Sequence, residues 1–327
     1  MRRREFIAGF GMVVGWSATA KAQQPAIPAV GFLQSRSASD APHLADAFRA
    51  GLRESGFIDG HNVRIEYRWG DGDFARLPAL AEQLIRVPVA VLAASGGEPA
   101  AMAAARAASA TVPIVFAMSA DPVKLGLAAS FNRPGRNVTG VNIQNTVLEP
   151  KRLGLLHELV PQAKTIGVLL NPNFPQAESQ LKDLQEAAPQ VGLTLRVFRI
   201  TADNDINAAF EAIPKEKIGA LVVAGSPFFD TLRDKIAALA GHYRVPAVYN
   251  FREYAAAGGL MSYGIDIREA LRQVGLYTGQ ILKGAKAGEL PIVFPAKFEL
   301  VINMKAANAL SLTIPPTLLA RADEVIE

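Results

Sequence analysis

Residues 29–263 run twice through one plan, and this repetition constrains the fold more than any other feature of the chain. Short β-branched runs alternate with amphipathic stretches of helical period, a pattern that specifies a parallel sheet covered by helices on both faces. In the first pass the runs at 29–33, 63–67, 89–93, 114–117 and 138–141 read as strands. In the second, those at 165–170, 193–199, 220–224, 247–249 and 260–263 do so. Landmarks return in order. Gly31 of GFLQS precedes Gly56 by 25 residues, and Gly167 of GVLLN precedes Gly192 by the same 25. Each interval holds a strand, a polar loop, a helix and a glycine suited to close that helix in the left-handed conformation. Further on, TVPIVFA at 111–117 has its counterpart in RVPAVYN at 244–250. Proline at the first residue of a strand costs no ladder hydrogen bond, so each half can carry one at the same point. The expectation is a duplicated five-strand α/β lobe.

Open parallel sheets bind ligands in the crevice beyond the carboxyl ends of their strands. Two lobes with those ends facing each other form an interdomain cleft, where small-molecule sites concentrate. The helical stretch at 268–282 follows the last strand of the second pass and is expected to cross back onto the first lobe. Lobe one then comprises 27–143 plus about 265–292, and lobe two 144–264 plus about 293–327. The several linker strands are those needed for hinge closure.

Ahead of the repeat stands MRRREFIAGFGMVVGWSATAKAQQP. Its apolar middle is too short to span a bilayer, which takes about 20 apolar residues. A basic start, a short apolar run and the small-x-small end at Ala20-Lys21-Ala22 instead form a secretory signal over 1–22, cleaved near Ala22. Arg3-Arg4-Glu5-Phe6-Ile7 further resembles the twin-arginine export signal, with the general route as the alternative. The expected location is the periplasm. The formal net charge is +4, and the leader holds +3 of it (Arg2, Arg3, Arg4 and Lys21 against Glu5), so about +1 remains. That leaves little electrostatic footprint for nucleic acid. The absence of cysteine excludes disulfides, thiol nucleophiles and cysteine-bound zinc.

The stretches FRAGLRESGF, VRIEYRW, RLPALAEQL, NRPGRNVTGVN and FREYAAAGGLMSYG, with the ending KFELVINMKAANALSLTIPPTLLARADEVIE, carry a family likeness. They resemble the ABC-transporter substrate-binding proteins of the tryptophan/tyrosine-binding type. The resemblance implies a type I periplasmic binding fold, no enzymatic activity and no cofactor. It also implies a small-molecule solute as ligand, an amino or carboxylic acid with aromatic ones among the candidates. The implied protein partners are the permease subunits of an inner-membrane importer, served by a monomer. A ligand-sensing subunit for a membrane receptor is the alternative from another class, and an exported enzyme on the same fold is a more distant one.

Topology directs attention to the strand-to-helix loops on the cleft side. In lobe one these supply Ser35 and Ser37, Ser95-Gly96-Gly97, Ser119 and Asn142. Ser95-Gly96-Gly97 precedes a helix at 99–108, whose bare N–H groups and positive end would suit a carboxylate, with Ser119 adding a hydroxyl. A glycine turn with a serine cap is the other reading of the same residues. In lobe two the equivalents are Asn171, Ser226, Tyr249, Asn250, Tyr263 and Asp266. Asp266 is the carboxylate chosen for a ligand ammonium, since a buried unpaired charge is very costly, although it equally suits capping the helix after it. Phe228, Phe229, Tyr249 and Tyr263 are candidates for stacking on an aromatic ligand. Enzyme signatures are missing: the four histidines lack metal-ligand spacing, and the repeat contains no nucleophile elbow or P-loop. No metal site is expected.

Overall fold

The computed structural model describes residues 27–108, 110–295 and 298–327, so the export signal read at 1–22 lies outside the described residues. The first sheet contains β1 (Ala29–Gln34), β2 (Arg64–Trp69), β3 (Val89–Ala94), β4 (Ile114–Met118) and β5 (Val138–Asn142). The second contains β6 (Thr165–Leu170), β7 (Thr194–Arg199), β8 (Ala220–Val223), β9 (Ala247–Tyr249), β10 (Met261–Ile265), β11 (Phe298–Asn303) and β12 (Glu324–Ile326). Between the strands lie α1 (Pro42–Glu54), α2 (Leu77–Arg86), α3 (Gly97–Ala107), α4 (Glu149–Leu159), α5 (Ala177–Ala187) and α6 (Asp203–Lys215). There follow α7 (Pro227–Thr231), α8 (Arg233–His242), α9 (Arg252–Ala256), α10 (Ile267–Leu282), α11 (Met304–Ala309) and α12 (Pro316–Leu319).

The first sheet is all parallel in the order β2-β1-β3-β4-β5. The second repeats that order as β7-β6-β8-β9-β10, then adds β11 antiparallel to β10 and β12 parallel to β11. The duplication extends to single hydrogen bonds. Leu92 N donates to Pro113 O at 2.9 Å in one lobe, and Leu221 N donates to Pro246 O at 2.8 Å in the other. Each proline thus contributes its carbonyl at the start of the fourth strand without needing the N–H it lacks. Gly56 and Gly192 both have positive φ, +85° and +68°, as chain reversal after a helix requires.

Each sheet has an apolar layer on both faces, which explains why its central strands are continuous hydrophobic runs. In the first lobe α1 and α10 pack on one face and α2 and α3 on the other. Helix α10 lies against α1 backbone to backbone: a Cβ at Gly51 would overlap the Arg272 carbonyl, and one at Gly275 would overlap the Phe48 carbonyl. In the second lobe α4, α5 and the C-terminal segment cover one face while α6 and α8 cover the other. Among the described residues, three segments lead from one lobe to the other. One leaves β5 through Asn145, one passes from β10 through Asp266 into α10, and one runs from Val293, bridged to Val141, towards β11.

Candidate functional site

In both sheets the chain turns one way after β1 or β6 and the other way after β3 or β8. The loops diverge there and leave a crevice at the carboxyl ends. The two crevices face each other and enclose a cavity of about 540 Å³, counting the space open to its mouth. Its walls from lobe one come from the loops after β1 (Gln34, Arg36), β3 (Ser95, Gly96, Gly97, Glu98), β4 (Ser119) and β5 (Asn145, Thr146). Lobe two supplies Phe174 after β6, the Gly225–Pro227 turn with Asp230 after β8, and Asn250 with Phe251 after β9. Leu44, Ile143, Phe174, Phe251 and Ile267 make much of the lining apolar.

Polar groups converge on this space without protein partners. Ser95 Oγ and Asn250 Oδ1 are buried and have no hydrogen-bond partner. Asn250 Nδ2 donates to Asp230 Oδ1 at 3.2 Å, and Tyr254 Oη donates to the same oxygen at 3.4 Å. Burial pushes the Asp230 carboxyl up to about 6, against the opposing pull of the Arg36 guanidinium and the Asn250 amide. Ser226 Oγ accepts from Asn171 Nδ2 and from Phe228 N, both at 3.3 Å, which leaves its own O–H as a donor for a ligand. The turn at 95–97 is tight. A Cβ at Gly96 would overlap the Ser35 backbone nitrogen, and Gly97 sits at φ +77°.

The start of α3 differs from the expectation of a bare anion site. The buried Glu98 carboxylate accepts hydrogen bonds from its own N–H and from those of Ser119 and Ala120. Burial dominates and pushes its pKa up, with those backbone bonds acting against it. This helix end therefore already carries an internal carboxyl, and Ser95 Oγ is the free donor beside it.

Of the residues chosen from sequence, Ser95, Gly96, Gly97, Ser119, Ser226 and Asn250 line the cavity. The others do not. Ser35 lies behind the wall, with its hydroxyl donating to Gly96 O. Ser37 accepts from Asp40 N in the loop before α1. Asn142 Nδ2 donates to Ala120 O at 2.7 Å, and Asn171 is spent on holding Ser226. Tyr249 stacks on Tyr254 inside lobe two, with ring centroids 4.6 Å apart, and Tyr263 packs against Phe298. Phe228 and Phe229 are likewise outside the lining. Asp266 is the N-cap of α10: it accepts from Arg268 N at 2.9 Å and is gripped by the Arg268 guanidinium. Burial alone would raise its carboxyl, but the Arg268 hydrogen bonds outweigh burial and hold it below its ordinary value. Besides Glu98, whose carboxylate is taken up by backbone N–H groups, Asp230 is the acidic residue that lines the cavity. Four residues beyond Ser226, it lies one helical turn in from that cap and on the same side, a spacing that could have marked it. Arg36 sits in a loop the sequence had already singled out.

The lobes touch at both sides of the cavity. Arg36 Nε and Nη2 donate to the Asp40 carboxylate at 2.9 and 3.1 Å within lobe one, and Arg233 of lobe two reaches the same Asp40. Beside them His43 Nε2 lies 3.3 Å from Glu253 Oε1. Elsewhere on the rim the rings of Phe74 and Phe174 meet at 6.1 Å. Among the described residues no group of three metal-ligating side chains occurs, and no helix is long and apolar enough to cross a membrane.

Two like α/β lobes closed on one buried cleft define a bilobal binding protein of the type I periplasmic class. The chain belongs to the ABC transporter substrate binding protein family, whose sequence profile it matches over residues 37–326. It is similar to the tyrosine-binding protein of Clostridioides difficile (strain R20291), 25% identical over 265 residues, or 81% of this chain and 75% of the relative. Two solved structures are close in fold. The ABC domain in complex with L-Trp from Streptococcus pneumonia has a TM-score of 0.81 at 27% identity, covering 91% of this chain and 99% of that one. A conserved domain protein from Vibrio cholerae O1 biovar eltor has a TM-score of 0.82 at 28% identity, with the same coverage. This is a family of substrate-binding proteins rather than enzymes.

Proposed function

We propose that this protein is the periplasmic solute receptor of an ABC importer and that its solute is an α-amino acid with an apolar, preferably aromatic, side chain. The observation that carries the reading is the pairing of Asp230 and the partnerless Asn250 Oδ1 on one wall with Ser95 Oγ on the other, inside a cavity that also has a large apolar lining. The ammonium takes Asp230 and Asn250, because a buried cation needs an anion and acceptors. The carboxylate lies towards Ser95, Ser119 and Arg36. The apolar side chain fills the space among Leu44, Phe174 and Phe251. A ligand so held touches both lobes and therefore favours the closed state, as a ligand touching only one could not. The L-Trp complex of the Streptococcus relative and the tyrosine-binding relative support this class.

A thermal-shift comparison of L-tryptophan, L-tyrosine and their deaminated and decarboxylated analogues tests the proposal. A ligand held only by the folded state adds about 2.7 kcal/mol of stability at a hundred times its Kd. The intact amino acids should raise the Tm and the truncated analogues should not. No shift with any apolar amino acid, or consumption of the ligand, defeats the reading. For location, mass spectrometry of the exported protein should find a terminus near Gln23, and an unprocessed cytoplasmic product would contradict it.

A further inference from the structure

Behind the lobe-two wall of the cleft lies a buried ion pair neither member of which lines the cavity. Glu149 and Arg152 stand one turn apart on α4, both with fully buried side chains, and Arg152 Nη1 is 2.9 Å from Glu149 Oε1. Each partner reaches further. Arg152 Nε donates to Tyr263 O at 2.7 Å, and its Nη2 donates to Asn145 O at 3.0 Å and to Asn145 Oδ1 at 2.6 Å. Glu149 Oε1 accepts from Gly225 N at 2.9 Å and from Gln180 Nε2 at 3.0 Å, and Gln180 Nε2 also donates to Gly225 O at 3.0 Å.

The bonded segments are the ones that matter to closure. Asn145 belongs to the crossover out of lobe one and lines the cavity. Tyr263 lies on β10, which feeds the crossover back into lobe one. The two crossovers meet directly, since a Cβ on Gly264 would stand 2.9 Å from Asn145 Oδ1. Gly225 is held through both its N–H and its C=O, and it positions Ser226 at the cavity wall. A buried ion pair is a weak source of net stability, because desolvation offsets its Coulomb attraction. What this one supplies is direction: six hydrogen bonds join two crossovers to one wall of the site.

We propose that Arg152 and Glu149 are positioning residues, a buried hub that ties two interlobe crossovers to the Gly225–Ser226 wall so that hinge angle and wall shape change together. The proposal rests on the reading that the cleft closes around a solute. Lysine at 152 keeps a charge beside Glu149 but cannot reach Tyr263 O and Asn145 at once.

The test uses Arg152→Lys in the full protein, with spin labels at Arg86→Cys and Lys182→Cys. Both sites are exposed, and the chain has no cysteine of its own. The expected result is an unchanged circular dichroism spectrum, a broadened interlobe distance distribution and at least tenfold weaker binding of L-tryptophan. Leu184→Ala, a cavity in the buried lobe-two core, is the control: it should lower the Tm without changing the distance distribution. An Arg152→Lys protein with wild-type distances and affinity within twofold of wild type overturns the proposal. If that variant does not fold, Gln180→Met decides on the same two readouts, with a broadened distribution and about threefold weaker binding expected, and wild-type values overturning it. Should the wild-type protein bind no L-tryptophan, the functional reading fails on that ligand while the distance measurement still judges the hub.

Discussion

Arg233 Nη2 donates to the Asp40 carbonyl oxygen at 3.2 Å, and Nη1 pairs with the Asp40 carboxylate, so one side chain of the second lobe grips the loop that precedes α1 in the first. Neither residue lines the cavity, yet the contact bridges the two lobes beside it. Arg233→Ala should therefore weaken solute binding by about tenfold, the equivalent of ~1.5 kcal/mol for a charge-assisted hydrogen bond. Calorimetry should show that loss with the order of preference among solutes unchanged. A reordered preference would mean that Arg233 shapes the pocket itself.

With Asp230 as the ammonium's partner, binding should depend on pH. In the empty cleft its carboxyl is pushed up to about 6 by burial, so below that pH an ammonium has to displace a proton. One proton released per ligand means that affinity falls by up to about tenfold per pH unit as pH drops through 6, and is level above it. For stability the sign is opposite. The folded value lies above the ordinary value of about 3.9, so the folded state binds the extra proton, and the contribution of Asp230 declines as pH rises between those values. Asp230→Asn should abolish the pH dependence and bring an amino acid down to the affinity of its deaminated analogue. A wild-type binding curve that is flat from pH 5 to 7 would remove Asp230 from the site.

Ser95 offers a hydroxyl without a partner at the opposite wall. If it donates to the solute carboxylate, Ser95→Ala loses on the order of 1.5–3 kcal/mol, or roughly tenfold to a hundredfold in Kd. The decarboxylated amine should bind equally to both forms. Equal weakening for acid and amine would point to a disturbed 95–97 turn instead.

Asp266 should behave as a helix cap and nothing more. Asp266→Ala removes the bond from Arg268 N at the start of α10 and is expected to lower stability by about 1 kcal/mol, as cap deletions do. Denaturant titration should register that loss while solute affinity stays at the wild-type value. Weaker binding without loss of stability would return Asp266 to the ligand.

The sequence alone determined the architecture, because strand and helix periods, turn glycines and strand-opening prolines are local signals, and their repetition at 25-residue spacing states the duplication outright. It also located the loops: Ser95, Gly96, Gly97, Ser119, Ser226 and Asn250 were legible since any residue just past a parallel strand stands near the crevice. Which side chains line the cleft was decided only by tertiary structure. Asp230 and Asp266 both follow a cleft-side strand, Asp266 as the cap of α10 and Asp230 four residues beyond the cap of α7, and position in the chain alone does not say which of them reaches the cleft. One has Arg268 two residues on and spends its carboxylate on the backbone at its own helix end. The other is carried one turn into α7, buried under Asn250 and Tyr254, and turned towards an arginine nearly two hundred residues away in the chain. The Arg152–Glu149 hub escaped notice for the same reason. Its partners are two backbone carbonyls, one backbone N–H and the side-chain amides of Asn145 and Gln180, which acquire meaning only when the fold brings Asn145, Gln180, Gly225 and Tyr263 within reach of one side-chain pair.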